Sequence, residues 1–255
     1  DGAPAIVLLA TVVVAAFLAP VLPLPDPNAT NVRAQYVRPF DADFPLGTDS
    51  LGRDLLSRAL FGARVSIIVA VSAVLGGLVV GGTLGLVAGY WKGWVDALIM
   101  RAMDVILAFP SLIFAIAITA YLGASMRNVI VAIAFFTIPA YARLARATAL
   151  RLGAEDFVLA AQLMGQRAPV VLWKHYVPNA LPSLLTFGIV NLAVAVLIES
   201  SLSFLGLGLR PPTPSWGVMI SEGRANMMRA PHLVLVPGAS LFGTLLCINL
   251  IADRL

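Results

Sequence analysis

Long runs of apolar residues, separated by shorter polar stretches, organise this chain. Six stand out: Ala3–Leu24, Val65–Tyr90, Ala97–Leu122, Val129–Leu150, Ala180–Leu205 and Leu233–Ile251. Crossing the hydrocarbon core of a bilayer takes about 20 mostly apolar residues. Lipid offers the backbone no hydrogen-bond partner, so runs of this length predict helices. The reading is an all-α integral membrane protein of six transmembrane helices in one bundle. Residues 1–64 supply the first helix and a loop, and residues 65–255 the remaining five.

The polar stretches add two further elements. In LGTDSLGRDLLSRALFGAR, Leu51, Leu55, Leu56, Ala59, Leu60 and Ala63 fall on one helical face, and Arg53, Asp54, Ser57 and Arg58 on the other. That pattern predicts an amphipathic helix lying in the membrane interface, with Thr48 or Ser50 as its cap. Residues 155–179, EDFVLAAQLMGQRAPVVLWKHYVPN, are too polar to span and too apolar for a loose linker. Glu155 and Asp156 suit a helix start. Phe157, Ala160, Ala161 and Met164 recur at helical spacing, Gly165 is a stop, and Pro169 fits the first turn of a second helix. From the residues alone, this short helix either inserts into a partner's groove or lies flat on the bilayer.

Composition agrees with a lipid solvent. The 255 residues are 60% hydrophobic and 12% charged, with a mean hydropathy of +0.93, whereas a soluble chain carries about 25% charged residues. The basic residues are scattered, with no dense run of the kind that binds nucleic acid. They also fail to orient the chain, because they divide almost evenly between the two sides. Residues 3–24 lack a basic leader and an A-x-A cleavage site, so they read as a membrane helix and not as a signal peptide.

Several residues are candidates for function. Asp104 and Glu199 lie in apolar runs, where charge is costly. Each is a candidate for a transport path or gate, Ser200 beside Glu199 with them, and Arg101 offers Asp104 a local ion pair. Gly77, Gly81, Gly85 and Gly89 recur every four residues, which suits either a sliding surface or static close packing. Pro110, Pro139, Pro182 and Pro237 predict kinks. Trp216, in the Pro-rich PPTPSWG stretch, reads as an interfacial anchor on an external loop. Cys247 has no partner and His175 and His232 lack ligand spacing, so no metal site is expected. Neither a phosphate-cradling G-x-x-x-x-G-K-[ST] loop nor a nucleophile–base motif occurs. The chain is therefore expected not to be an enzyme, and any ATP and Mg would belong to partners.

At residues 159–178 the sequence resembles the permease subunits of bacterial ABC importers, whose cytoplasmic loop follows E-A-A-x3-G-x9-I-x-L-P. Ala160, Ala161, Gly165 and Pro178 match. Leu159 replaces the family's Glu, and His175 its Ile. The histidine here, with Asn179 after the last proline, is similar to the dipeptide/oligopeptide/nickel subfamily. PLGTDSLGRDLLSRALFGARVSI (45–67), MRAMDVILAFPSLI (100–113), ESSLSFLGLGLRPPTPSWGVMI (199–220) and the C-terminal NLIADRL resemble the dipeptide permease C type, the last with Ala252-Asp253 for the usual Gly-Asp pair.

The resemblance implies a multi-pass protein of the bacterial cytoplasmic membrane importing di- or oligopeptides. It implies as partners a second homologous permease, two ATPase subunits or domains, and an external solute-binding protein. Segment 151–179 would be cytoplasmic and loops 25–64 and 206–232 external. Asp156, Phe157, Ala160, Ala161, Met164, Gly165, His175 and Pro178 would form the coupling helix and its support, and Trp216 a contact for the binding protein. Two other readings stay open: the same architecture carrying nickel, a metal chelate or haem, and a proton-coupled secondary transporter using Asp104 and Glu199 as relay groups.

Overall fold

The structure is a computed structural model that describes residues 3–254. Helix α1 covers Ala3–Leu18 and stops short of the expected Leu24. Pro20, Pro23 and Pro25 follow, and prolines have no N–H to continue the ladder. The N–H groups of Val21 and Leu22 both turn back to the Leu18 carbonyl.

Helix α2, Leu55–Trp91, is the spine of the molecule. It continues across residues 64 and 65 without a break, so the expected interfacial helix is instead the first turns of a membrane helix. Its cap is Asp54, not Thr48 or Ser50: the Asp54 carboxylate accepts from the Leu56 and Ser57 N–H groups at 3.4 and 2.9 Å. The face bearing Arg53, Asp54, Ser57 and Arg58 is buried. Charge does not seek solvent here because partners reach it from distant parts of the chain.

The third apolar run is two helices, α3 (Gly93–Leu107) and α4 (Ser111–Leu122), with axes bent by 82°. Pro110 sits at the break, where it lacks a donor and forces Phe109 out of helical geometry. Helix α5 (Met126–Leu152) follows, capped by Ser125, whose Oγ accepts from Asn128 N–H at 3.2 Å. Gly77, Gly81, Gly85 and Gly89 of α2 face α5. A Cβ on Gly81 would lie 2.3 Å from the Ile138 carbonyl oxygen, and one on Gly85 2.2 Å from that of Ala142. The four-residue stripe is thus occupied by close backbone packing within the chain.

Helix α6 (Asp156–Leu163) precedes α7, which runs from Ala168 to Phe204 as one 37-residue helix. The second short helix expected at Pro169 is the start of α7, joined to the apolar span through a π turn at Leu172–Tyr176. Helix α8 (Trp216–Gly223) and α9 (His232–Ala252) complete the chain. Among the described residues, four helices are long and apolar enough to cross a membrane, and the bent α3–α4 pair makes a fifth if counted as one span.

Short links set neighbouring helices antiparallel, which gives the bundle two ends. One holds the α2–α3 turn, α6 and the start of α7. The other holds residues 19–54, α8 and residues 205–231. A small core of Leu55, Ala59, Met219, Ala230 and Leu233 closes the latter as a cap. Between the ends, Val79, Leu98, Val105, Leu197 and Phe242 are exposed. Such an apolar girdle is at home in lipid or against another subunit.

Candidate functional site

At the first end, α5 terminates at Leu152 and the chain turns through Gly153–Glu155 into α6. Val158 and Ala161 tuck inward, onto a core that includes Leu152, Val171 and Tyr176. The other apolar residues of α6 do not. Leu163 is 89% and Met164 72% exposed, and Phe157, Leu159 and Ala160 also face out. The helical face expected from spacing is therefore divided: Ala161 belongs to the root, while Phe157, Ala160 and Met164 belong to the exposed surface.

The helix ends in a double closure. Gln166 N–H bonds to the Ala161 carbonyl at 3.2 Å and Gly165 N–H to that of Gln162 at 2.9 Å, the paired bonds of a Schellman motif. Gly165 has φ +77°, and nothing lies within 4 Å of where its Cβ would be. Its role is conformational, because only glycine takes this geometry without strain. His175 Nε2 lies 3.2 Å from Gln166 Oε1, and its ring packs 6.1 Å from that of Phe157. His175 and Pro178 both sit on the first turns of α7, and His175 braces α6 from the side. Asp156 lies in the first turn of α6, where a negative charge meets the positive end of the helix dipole.

Two ion pairs tie α3 to α5 near this end. Asp96 takes Arg146 in a two-point contact, 2.5 and 2.6 Å. Asp104 pairs with Arg143 at 2.7 Å, not with Arg101 as local spacing suggested. An arginine reaching across from a packed helix outcompetes the i−3 neighbour on its own. The Asp104 pair is solvent-exposed on both sides.

The opposite end holds charge inside. Glu199 is fully buried, and its carboxylate accepts from Ser66 and Ser203 at 2.8 Å each and from Ser200 at 3.3 Å. Ser200 is buried beside it. Nearby, Glu222 Oε2 accepts from Arg53 at 2.9 Å and Arg58 at 3.0 Å, while Asp49 pairs with Arg53 at 2.5 Å. Arg58 also donates to the Pro27 carbonyl at 3.1 Å. This cluster fastens the long loop and α8 onto the start of α2. Sequence reasoning missed it, and the signal was partial: Arg53 and Arg58 flank an apolar turn, but nothing local points to Glu222.

Trp216 is also inside. It is fully buried, and its indole N–H donates to the Ala59 carbonyl at 3.2 Å. It is neither an interfacial anchor nor a surface for a partner, because α8 packs its face against α2. Glu199 and Asp104 are far apart: Glu199 is tied to Ser66, and Asp104 to Arg143 at the level where Ala142 meets Gly85. From Ser66 to Gly85, α2 rises about 28 Å. They cannot pass a proton directly. Among the described residues no group of three or more His, Cys, Asp or Glu is placed to hold a metal.

The molecule thus carries an exposed apolar helix at one end, a charge-locked cap at the other and an apolar girdle between them. Its fold is that of an ABC transporter subunit: it matches inward-facing methionine transporter MetNI with a TM-score of 0.64 at 15% identity, over 77% of this chain and 94% of that one. It is 42% identical to the glutathione transport system permease protein GsiD of Pectobacterium atrosepticum, over 87% of this chain and 79% of that protein. It is 38% identical to the dipeptide transport system permease protein DppC of Alkalihalophilus pseudofirmus, over 98% and 82%. Residues 81–255 match the family described as binding-protein-dependent transport system inner membrane component. The chain belongs to that family, and is a non-catalytic, multi-pass permease subunit of an ABC-type importer of the inner membrane.

Proposed function

We propose that this permease carries short peptides, di- to oligopeptides, into the cytoplasm as one of two homologous permease subunits. Two ATPase subunits bind and hydrolyse ATP with Mg, and an external solute-binding protein delivers the peptide. In this reading the α6 end is cytoplasmic, the cap formed by residues 19–54 and 205–231 is external, and residues 65–255 form the transmembrane domain proper.

The observation that carries the coupling is the exposed apolar row of α6. Leu163 and Met164 stand beyond the end of α5 on a turn held by two backbone bonds. Amphipathic helices dock by such a face in a partner's groove. Asp156, Phe157, Ala160, Met164 and Gly165 then make the docking element, and Ala161, His175 and Pro178 hold it to the bundle. Movement of the ATPases is passed to α7 through this element. Such coupling needs ATPase states that differ in how they hold α6.

Glu199 and Ser200 serve the path from behind, by holding α7 to α2, and Asp104 stands on the exposed side of α3. The substrate class rests on the relatives: glutathione and dipeptides are both short peptides, and the relatives named for them each align with most of this chain. Mass spectrometry of the ligand retained by the co-purified binding protein tests it. Short peptides are expected, and nickel, a metal chelate or haem would overturn the assignment. Crosslinks from Leu163 and Met164 to the ATPase test the coupling, and their absence in the assembled transporter sinks it.

A further inference from the structure

With Trp216 buried, the outer cap presents a different feature to a partner. Between residues 35–40 and the start of α9 lies an open concavity of about 710 Å³, lined by Tyr36, Arg38, Phe40, Arg229, His232 and Leu235 among others. The strand of loop that forms one wall is tightly held. Val37 N–H bonds to Thr48 Oγ1 at 2.9 Å, Thr48 N–H to the Val37 carbonyl at 3.1 Å, and Phe40 N–H to that of Pro45 at 2.9 Å. His232 Nε2 meets the Thr48 carbonyl at 3.3 Å from the other wall.

Two aromatic residues in this wall adopt backbone conformations that glycine normally takes: Tyr36 at φ +57° and Phe40 at φ +71°. Non-glycine residues persist there only when their surroundings hold them, and such strain gathers at clamps for ligands and partners. The consequence for Phe40 is a side chain 97% exposed at the rim. Across the opening, the Arg229 guanidinium lies 4.9 Å from the centre of the Tyr36 ring. Arg38 is exposed, and neither arginine meets a carboxylate among the described residues.

The charge around the opening has one sign in excess. On the outer cap, Arg33, Arg38, Arg210, Arg224 and Arg229 are exposed and meet no carboxylate among the described residues, against exposed Asp26, Asp41 and Asp43. The acidic groups that would balance them, Asp49 and Glu222, are consumed inside the cap by Arg53 and Arg58. Fully exposed Met228 adjoins Arg229. Arginine, tyrosine, phenylalanine and methionine are the residues enriched at protein interfaces. A small-molecule pocket, by contrast, encloses most of its ligand's surface, and one with a bare phenylalanine at its rim does not.

The geometry points to this concavity as a docking site for an acidic side chain, flanked by apolar ones, on the surface of the solute-binding protein. The carboxylate would lie between the guanidinium groups of Arg38 and Arg229, with Phe40 packed against its apolar neighbours. This inference rests on the proposed function for the existence of that partner. It adds where and by what chemistry the partner is held. Complementary charge of this kind raises the encounter rate and is screened by salt.

The test uses the whole transporter reconstituted in nanodiscs of neutral lipid, with ATPase stimulation by the peptide-loaded binding protein as readout. Arg38→Glu and Arg229→Glu are each expected to raise the binding-protein concentration for half-maximal stimulation at least tenfold. Phe40→Ala should raise it severalfold, and ATPase activity without binding protein should stay unchanged. Wild type should weaken with added salt, and both charge reversals should lose most of that dependence. Stimulation by all three variants at the wild-type concentration overturns the docking site while leaving the proposed function standing. A defect that shifts the peptide concentration needed, at saturating binding protein, overturns it in favour of a site for the peptide's own carboxylate. If the binding protein fails to stimulate wild type itself, both readings fall.

Discussion

Ser66 of α2 donates a 2.8 Å hydrogen bond to Glu199 of α7, and both residues are fully buried. Three serine hydroxyls converge on this one carboxyl group. Replacing Glu199 by leucine leaves them without an acceptor, and each buried orphan costs about 1–3 kcal/mol. Glu199→Leu is expected to lower the thermal midpoint of the purified complex by several degrees. Glu199→Gln keeps an acceptor oxygen and should lose much less. Equal melting of Glu199→Leu and wild type would show that the serines have other partners.

The glycine stripe makes a second, contrasting expectation. Gly81→Ala and Gly85→Ala drive a methyl into the α5 backbone, at 2.3 and 2.2 Å from carbonyl oxygens. Separating the helices to make room should cost about 1–3 kcal/mol. Gly238 and Gly243 of α9 have nothing within 4 Å of their Cβ positions. Alanine there should be neutral or stabilising by up to about 1 kcal/mol, since it favours the helix. Melting of the four single variants in one detergent compares them directly.

Gly165→Pro replaces a residue at φ +77° with one locked near −65°. The turn after α6 must then rearrange, while the membrane helices are untouched. The expected phenotype is ATPase activity that no longer drives uptake, in a complex that still assembles. Leu163→Asp changes only an exposed side chain and should instead weaken ATPase association. Uptake that survives both changes but collapses with the proton gradient would contradict the coupling role of α6.

The two ion pairs between α3 and α5 should differ in value. Asp104–Arg143 is exposed, 61% and 54%, and exposed pairs contribute about 0–1 kcal/mol. Asp96–Arg146 is more enclosed and joined at two points, which strengthens such a pair and fixes its geometry. Double-mutant cycles on thermal stability are expected to give the larger coupling for Asp96–Arg146. A larger value for Asp104–Arg143 would reverse that ranking.

What could be read from the chain follows the range of the forces involved. The long apolar runs and the stop at Gly165 are local signals, and α2, α5, α7 and α9 lie over the runs that predict them. Pro110 marks a break, but its extent depends on what α3 and α4 pack against. Arg58 and Glu222 are 164 residues apart, so their pairing leaves no trace in spacing. Without that partner, the polar face of residues 51–64 reads as solvent-facing. Trp216 misleads for a related reason: a tryptophan in a Pro-rich stretch looks interfacial until α8 folds it against Ala59. At α6, spacing puts Ala161 with Phe157 and Met164, and only packing on Leu152 and Val171 assigns it inward.

Helix α7 carries the α6 end and the cap on one continuous shaft. Its 37 residues make it about 55 Å long. If it pivots near its midpoint by about 5°, its two tips move about 2.4 Å each, in opposite directions. Such a seesaw makes narrowing at one membrane face and widening at the other a single motion. The π turn at Leu172–Tyr176 lies close to the α6 tip, so bending there would dissipate a displacement applied at that tip before it reached the fulcrum.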